Sequence, residues 1–394
     1  FRTVLDLMQE EPEFTFTAAR SQFYVWIEEN DPEMLREIRR RVDEGRWGLA
    51  GGWWVEADAT MSGGESLLRQ GLYGQHTLRR LFGRTTDIGY NPDAPGHPAS
   101  VPQILKLQGM GHFVFTRPAP HEMKLPAGLF HWEGIDGTRI LAYRPPQVGF
   151  VIRDVLDQRI RRMLTVTKPT THEQMLLIGV GDHGGGPTRE NIRSVAAIRS
   201  QPGAPILQYS LPERYFESVR QQSLADLPLV RGGLLHHAVG GYTNVSALKK
   251  DSRTAEATLI TAEKLAAVGS VAWQNQYPKA ALREAWQRAI YQHVHDSING
   301  VSLPSHYETT ARDAYGHALD VARRTLYKAA QKLTWEVPAE DPKSRYVFLF
   351  NPHAWKVTVH ARQQYYDWRP ETPICVEDEQ GRTLPHQWTE NTIH

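Results

Sequence analysis

A chain of 394 residues is too long for one ordinary core and implies roughly two to three domains. Its 45 basic and 44 acidic residues leave a net charge of +1, so no global field draws it to nucleic acid or to an anionic membrane, and no apolar run approaches the roughly 18 residues that span a bilayer. A hydrophobic fraction of 40% with 11 Trp, 15 Tyr and 12 Phe excludes a disordered chain, while the single Cys375 excludes an intramolecular disulfide and fits a reducing, cytoplasmic compartment.

The first half alternates short apolar runs with amphipathic helices, the pattern of an α/β domain with a mainly parallel sheet. "DPEMLREIRRRVDEG" predicts a helix with Asp31 as N-cap, Pro32 at its first position and Gly45 at its end. "WGLAGGWWVEAD" reads as strand and loop. In "SGGESLLRQGLYGQHTLRRLFG", Ser62 and Glu65 read as a capping box, and Leu67, Leu68, Leu72, Leu78, Leu81 and Phe82 as one apolar face closing at Gly83. "TTDIGY", "HFVFTRP" and "QMLLIGVGD" read as further short strands, each running into a polar, Gly-rich or Pro-rich turn. The residues able to do chemistry follow those strands, where α/β sheets and barrels place their sites.

From about residue 250 the texture changes. "DSRTAEATLITAEKLAAVG", "ALREAWQRAIYQHVHDSING" and "TTARDAYGHALDVARRTLYKAAQKL" are three helical patterns without intervening strands, as in a small bundle. After the linker "PAEDPKSR", the β-branched and aromatic "YVFLFNPHAWKVTVHARQQYY" predicts strands. The expected division is 1–245 α/β, 246–337 helical bundle and 338–394 the start of a β-sandwich. The start at Phe1 without Met and the ending "TENTIH" suggest truncation at both ends.

Four stretches carry candidate chemistry. In "GYNPDAPGHPASVPQIL", Asp93 sits in a Pro-stiffened loop before a helix starting at Ser100, and reads either as an Asx-turn residue or as an aimed carboxylate. "GVGDHGGGPT" places Asp182 among five glycines that let backbone approach a ligand; a tight turn is the alternative, and the Gly-Lys-Ser/Thr ending of a phosphate loop is missing. "YQHVHDSING" offers His293, His295 and Asp296. The apolar spacing puts His293 on the packed face, while imidazole and carboxylate near the helix end suit zinc. "GGWWVEAD" combines Trp54 with Glu56 and Asp58, aromatic surface beside acids that suits a sugar ring, with core packing of one Trp as the alternative. Two carboxylates after two different strands suggest glycosidic bond cleavage, one as nucleophile and one as acid/base.

These motifs in this order resemble glycoside hydrolase family 38, the retaining α-mannosidases, of bacterial type. The resemblance rests on "GGWWVEAD", "GESLLRQGLYG", "NPDAPGHPASVPQILKLQGMGHFVFTRP", "GVGDHGGGPT", "GGYTNVSALKKDSRTAE" and "HVHDSING". It implies a (β/α)7-type barrel-like domain, a three-helix bundle and a β-domain. It also implies Asp93 as nucleophile and zinc ligand, Asp182 as acid/base, His295 as zinc ligand, Asp296 as a hydroxyl-binding carboxylate, and Arg117 beside the nucleophile. With Trp54, Glu56, Asp58 and Tyr242 these residues form the expected substrate site, for one Zn2+ and an α-mannoside or oligosaccharide, with a homo-oligomer allowed. The family's two other zinc ligands, a His-x-Asp on its first strand, have no counterpart here, and Pro95 stands where an aromatic is usual. Other expectations compatible with the motifs are a metal-dependent polysaccharide deacetylase and an inactive carbohydrate-binding relative.

Overall fold

The seven residues Trp47–Trp53, two Trp and one Leu set among glycines and Ala50, are buried throughout, as a strand covered on both faces must be. The computed structural model describes residues 1–145, 156, 160, 173–181, 186–235, 237–338, 341, 344–362 and 374–387. In it α1 (Arg2–Glu10) leads to β1 (Phe16–Arg20), α2 (Ser21–Asn30), α3 (Pro32–Asp43) and β2 (Trp47–Trp53), and β1 pairs with β2 in parallel. Asp31 caps α3 as its sequence predicts, its side chain accepting from the Met34 N–H at 2.9 Å ahead of Pro32. Helix α3 ends at Asp43, just short of Gly45.

Close packing of β1 on β2 needs Gly51. Its φ is +86°, and a Cβ there would run into the Ala19 carbonyl.

Helix α4 (Gly64–Phe82) closes at Gly83 in the left-handed conformation. Two expectations for it are corrected. Gly63 is its N-cap without a side-chain cap bond, because Ser62 is buried against His293 and Glu65 pairs with Arg69. Leu72 is exposed, because the buried stripe runs through Leu67, Gly71, Gly74, Leu78 and Leu81, where Gly74 lets the helix approach β2 and Gly71 makes room for the Gln108 side chain.

Next come β3 (Ile88–Tyr90), β4 (Gly96–His97), α5 (Val101–Leu107), β5 (His112–Val114), β6 (Leu129–Glu133) and β7 (Arg139–Tyr143). Ser100 precedes α5 without capping it through its side chain. The strands order as β3-β5-β7-β6-β8, with β8 at Leu229–Arg231; neighbours are parallel except the hairpin β6–β7, which turns at Asp136 and Gly137. Around them Trp53, Phe113, Phe115, Phe130 and Trp132 form an aromatic core. Helices α6 (Arg189–Arg199) and α7 (Pro212–Arg220) precede β8, and β9 (Leu234–Leu235) pairs antiparallel with β4. The expected strand in "QMLLIGVGD" is not formed. Residues 173–178 carry no regular structure, and only Val180 bridges to Gly186; the run is held instead by side chains, Tyr143 Oη bonding Met175 O at 2.9 Å and Ile178 packing in a small apolar cluster.

Helices α8 (Ser246–Trp273), α9 (Lys279–Tyr291) and α11 (Arg312–Trp335) share one apolar cluster that includes Leu259, Trp286 and Tyr315. The helix expected through residue 300 is interrupted. It stops at Tyr291, and α10 (His295–Asn299) starts again after a bridge between Ala57 and Val294 pulls the chain onto the loop after β2.

The chain divides into compact units 1–332 and 333–394. In the second, the expected strands over 346–362 are not formed among the described residues. Phe348 and Leu349 are exposed, and among the described residues of this unit one bridge is formed, between Glu377 and Thr383.

Candidate active site

Glu56 and Asp58 follow β2, while Asp93 follows β3 and Arg117 follows β5, two strands paired in parallel whose carboxyl ends therefore lie together. The Asp93 loop is pinned on both sides. Asn91, fully buried, donates from Nδ2 to Ala57 O at 2.9 Å and from its N–H to Val114 O at 2.9 Å, while the Thr116 N–H donates to Pro92 O at 3.3 Å. The prolines thus sit in a loop tied to two strand ends.

Asp93 Oδ1 lies 2.7 Å from Arg117 Nε and Oδ2 lies 3.5 Å from His295 Nε2. The Arg117 contact is an ion pair without hydrogen-bond alignment, so buried Oδ1 keeps lone-pair capacity among the described residues. Burial pushes the Asp93 carboxyl up, but His295, Arg117 and His237 together hold it below the usual carboxylate range. It is an anion at neutral pH.

His295 enters from the helical half, its N–H donating to Glu56 O at 3.2 Å and its Nδ1 lying 3.4 Å from the same oxygen. That carbonyl favours a proton on Nδ1 and turns Nε2 to Asp93. Burial opposes charge on the ring, yet Asp93, Glu56 and Asp296 raise its pKa to about 9. Asp296 is 62% exposed at the rim, 3.7 Å from His295 Nε2.

Arg117 is backed by residues that sequence reasoning passed over. Arg can only donate, so Nη1 donates to His237 Nε2, and His237 Nδ1 then donates to Glu122. His97, fully buried against Phe113 and Phe115, donates from Nε2 to Arg117 O at 3.0 Å. Their signals lay in "APGHP" and "LLHHAVGGY", but nothing in spacing links them to Arg117.

The other expected residues divide. Asp58 is fully buried, its Oδ1 accepting from the Thr60 and Met61 N–H groups at 2.8 and 3.0 Å, and burial pushes its carboxyl up. Tyr242 reaches that turn through a 3.5 Å bond from its hydroxyl to Thr60 Oγ1. Trp54 packs in the helical core. His293 is a core residue with both ring nitrogens on serines, Nδ1 at 3.1 Å from Ser62 and Nε2 at 2.9 Å from Ser252. Asp182 lies outside the described residues.

Residues 1–238 match the Glycosyl hydrolases family 38 N-terminal domain, and residues 236–333 match the alpha mannosidase middle domain. The chain belongs to glycosyl hydrolase family 38. Among family 38 relatives, alpha-mannosidase G of Dictyostelium discoideum is 31% identical over 313 residues, 78% of this chain and 28% of that protein. Alpha-mannosidase 2C1 of Homo sapiens is 28% identical over 359 residues, 90% of this chain and 34% of its own length. The chain therefore spans about a third or less of these relatives. An alpha-mannosidase structure from Enterococcus faecalis V583 shares the fold with a TM-score of 0.72 at 22% identity, over 84% of this chain and 39% of that one. A 4-alpha-glucanotransferase from Thermococcus litoralis shares it with a TM-score of 0.54 at 14% identity, over 82% of this chain and 55% of that one. No helix among the described residues is long and apolar enough to cross a membrane.

Whether a family 38 zinc ion suits these residues turns on the Asp93–His295 pair. Tetrahedral zinc with bonds of about 2.0–2.1 Å sets its donors about 3.3–3.4 Å apart. The 3.5 Å separation of a carboxylate oxygen and an imidazole nitrogen is compatible with two of the four positions. Among the described residues no group of three or more His, Cys, Asp or Glu side chains converges on one point.

Proposed function

We propose that this chain carries the catalytic face of a cytoplasmic retaining α-mannosidase that cleaves terminal α-linked mannose. The observation that carries the reading is the setting of Asp93: an ionised carboxylate after a parallel strand, held between Arg117 and His295. In this reading residues 1–245 form a barrel-like α/β domain and 246–337 a three-helix bundle.

Asp93 attacks the anomeric carbon, one carboxylate oxygen forming the new bond while the leaving oxygen departs with a proton. Asp182 is the proposed source of that proton. It then takes a proton from the water that displaces Asp93, so two inversions return the starting configuration. Arg117 keeps Asp93 ionised and aimed before attack, and its charge disfavours protonation of the carboxylate when the intermediate breaks down. Asp93 and His295 would hold zinc, with Asp296 and Tyr242 towards the sugar. When bound, the ion supplies Lewis-acid contacts to adjacent sugar hydroxyls and so orients the ring.

An aryl α-mannoside tests the proposal on the intact protein, with NMR of the first-formed anomer. Release of α-mannose supports it. Release of β-mannose, or acetate from an acetylated glycan without free mannose, overturns it, the latter in favour of a deacetylase.

A further inference from the structure

Glu56 reaches both residues that define the site, through different atoms. Its side chain is 8% exposed, and Oε1 accepts the Asp93 N–H at 2.8 Å while Oε2 pairs with Arg20 Nη2 at 3.0 Å. Its main-chain oxygen accepts the His295 N–H at 3.2 Å and faces Nδ1 of the same ring. Both carboxylate oxygens are engaged inside the protein, which leaves Glu56 poorly disposed to hold a sugar hydroxyl.

We propose that Glu56 is a positioning residue that sets the backbone of Asp93, and through it the aim of the nucleophile, against His295; this rests on the α-mannosidase reading. The physical reasons are three. An N–H to a carboxylate is a charge-assisted bond, stronger than the neutral bonds that tie down the rest of the loop. Arg20 offsets the charge of Glu56, so a second buried anion can stand beside Asp93. The main chain of Glu56 is itself fixed, because Asp58 N–H donates to His293 O at 2.9 Å and Ala57 bridges to Val294, which locks the loop after β2 to the turn that carries His295. The nucleophile and the histidine opposite it are thereby referred to one residue, which suits chemistry in which a displacement of about 1 Å costs on the order of 10²-fold in rate.

The experiment compares Glu56→Ser and Glu56→Gln in the intact protein, by steady-state kinetics on an aryl α-mannoside and by hydrogen exchange of the peptide containing Asp93. Glu56→Ser, too short to reach the Asp93 N–H, should lower kcat by on the order of 10²-fold with KM within about threefold, and exchange at Asp93 should quicken about tenfold or more. Glu56→Gln keeps an acceptor oxygen, so it should recover kcat to within about tenfold of the parent and leave the exchange slow. If Glu56→Ser does not fold, Glu56→Asp carries the same test, since it keeps the charge for Arg20 and withdraws the oxygen by one methylene. A rise in KM at unchanged kcat would show direct sugar contact and overturn the proposal, as would equal losses in both variants with exchange at Asp93 unaltered. The exchange measurement needs no turnover, so an intact protein inactive on α-mannosides would defeat the α-mannosidase reading while still testing the Glu56 bond.

Discussion

Asp93 Oδ2 and His295 Nε2 face each other across 3.5 Å, one carried by a loop after a strand of the α/β half and the other by the first residue of a short helix in the helical half. The contact exists because Ala57 and Val294 bridge the two halves, and it brings opposite charges together in a partly buried site.

Replacing Asp93 with Asn keeps the side chain's shape and removes the attacking anion. Turnover should fall by on the order of 10³-fold or more. The protein should still fold, because the main-chain bond from the Asp93 N–H to Glu56 survives, but with a lower unfolding midpoint, since the ion pairs to Arg117 and His295 are lost. Steady-state kinetics with a thermal melt check this, and substantial residual turnover would remove Asp93 from the nucleophile's role.

Chelator treatment should abolish activity, and added Zn2+ should restore it. His295→Ala should weaken zinc binding by about tenfold or more, read by metal titration on the intact protein. Zinc affinity equal to the parent's in that variant would show that His295 is not a ligand.

Burial holds His97 neutral, with its pKa down at about 3. In the unfolded chain the ring binds its proton near about 6.5, so below that pH the unfolded state holds one more proton than the folded state. Stability is therefore lost as pH falls from about 6.5 towards 3, by about 1.4 kcal/mol per pH unit from this group. His97→Gln can still donate to Arg117 O and should flatten that slope. Denaturant unfolding at pH 6 and pH 4.5 compares the two, and identical slopes would refute the assignment.

Gly51→Ala should destabilise the α/β unit by roughly 2–4 kcal/mol, combining a left-handed backbone with a clash against the Ala19 carbonyl. Thermal unfolding reads it directly. A midpoint unchanged from the parent would mean that β1 and β2 can separate at no cost.

The sequence by itself determined whatever depends on neighbours in the chain. Asp31 followed by Pro32 starts α3, Gly83 ends α4, buried Trp47–Trp53 is a strand, and candidate acids follow strand ends. The same local logic misread Ser62 and Glu65 as a cap, because each satisfies a partner that capping rules do not see, and it carried a helix through residue 300 that a bridge to Ala57 interrupts. It passed over β6 and β7 although Asp136 and Gly137 mark their turn. Only the tertiary structure decided what Asp93 faces. An isolated Asp in a proline loop is as well suited to a turn as to catalysis, and its field comes from Arg117 after the next strand, from His295 in another helix and from the Glu56 carboxylate beneath its own N–H. Those distances are set by how the strands and helices pack, and electrostatic coupling follows separation in space and not along the chain.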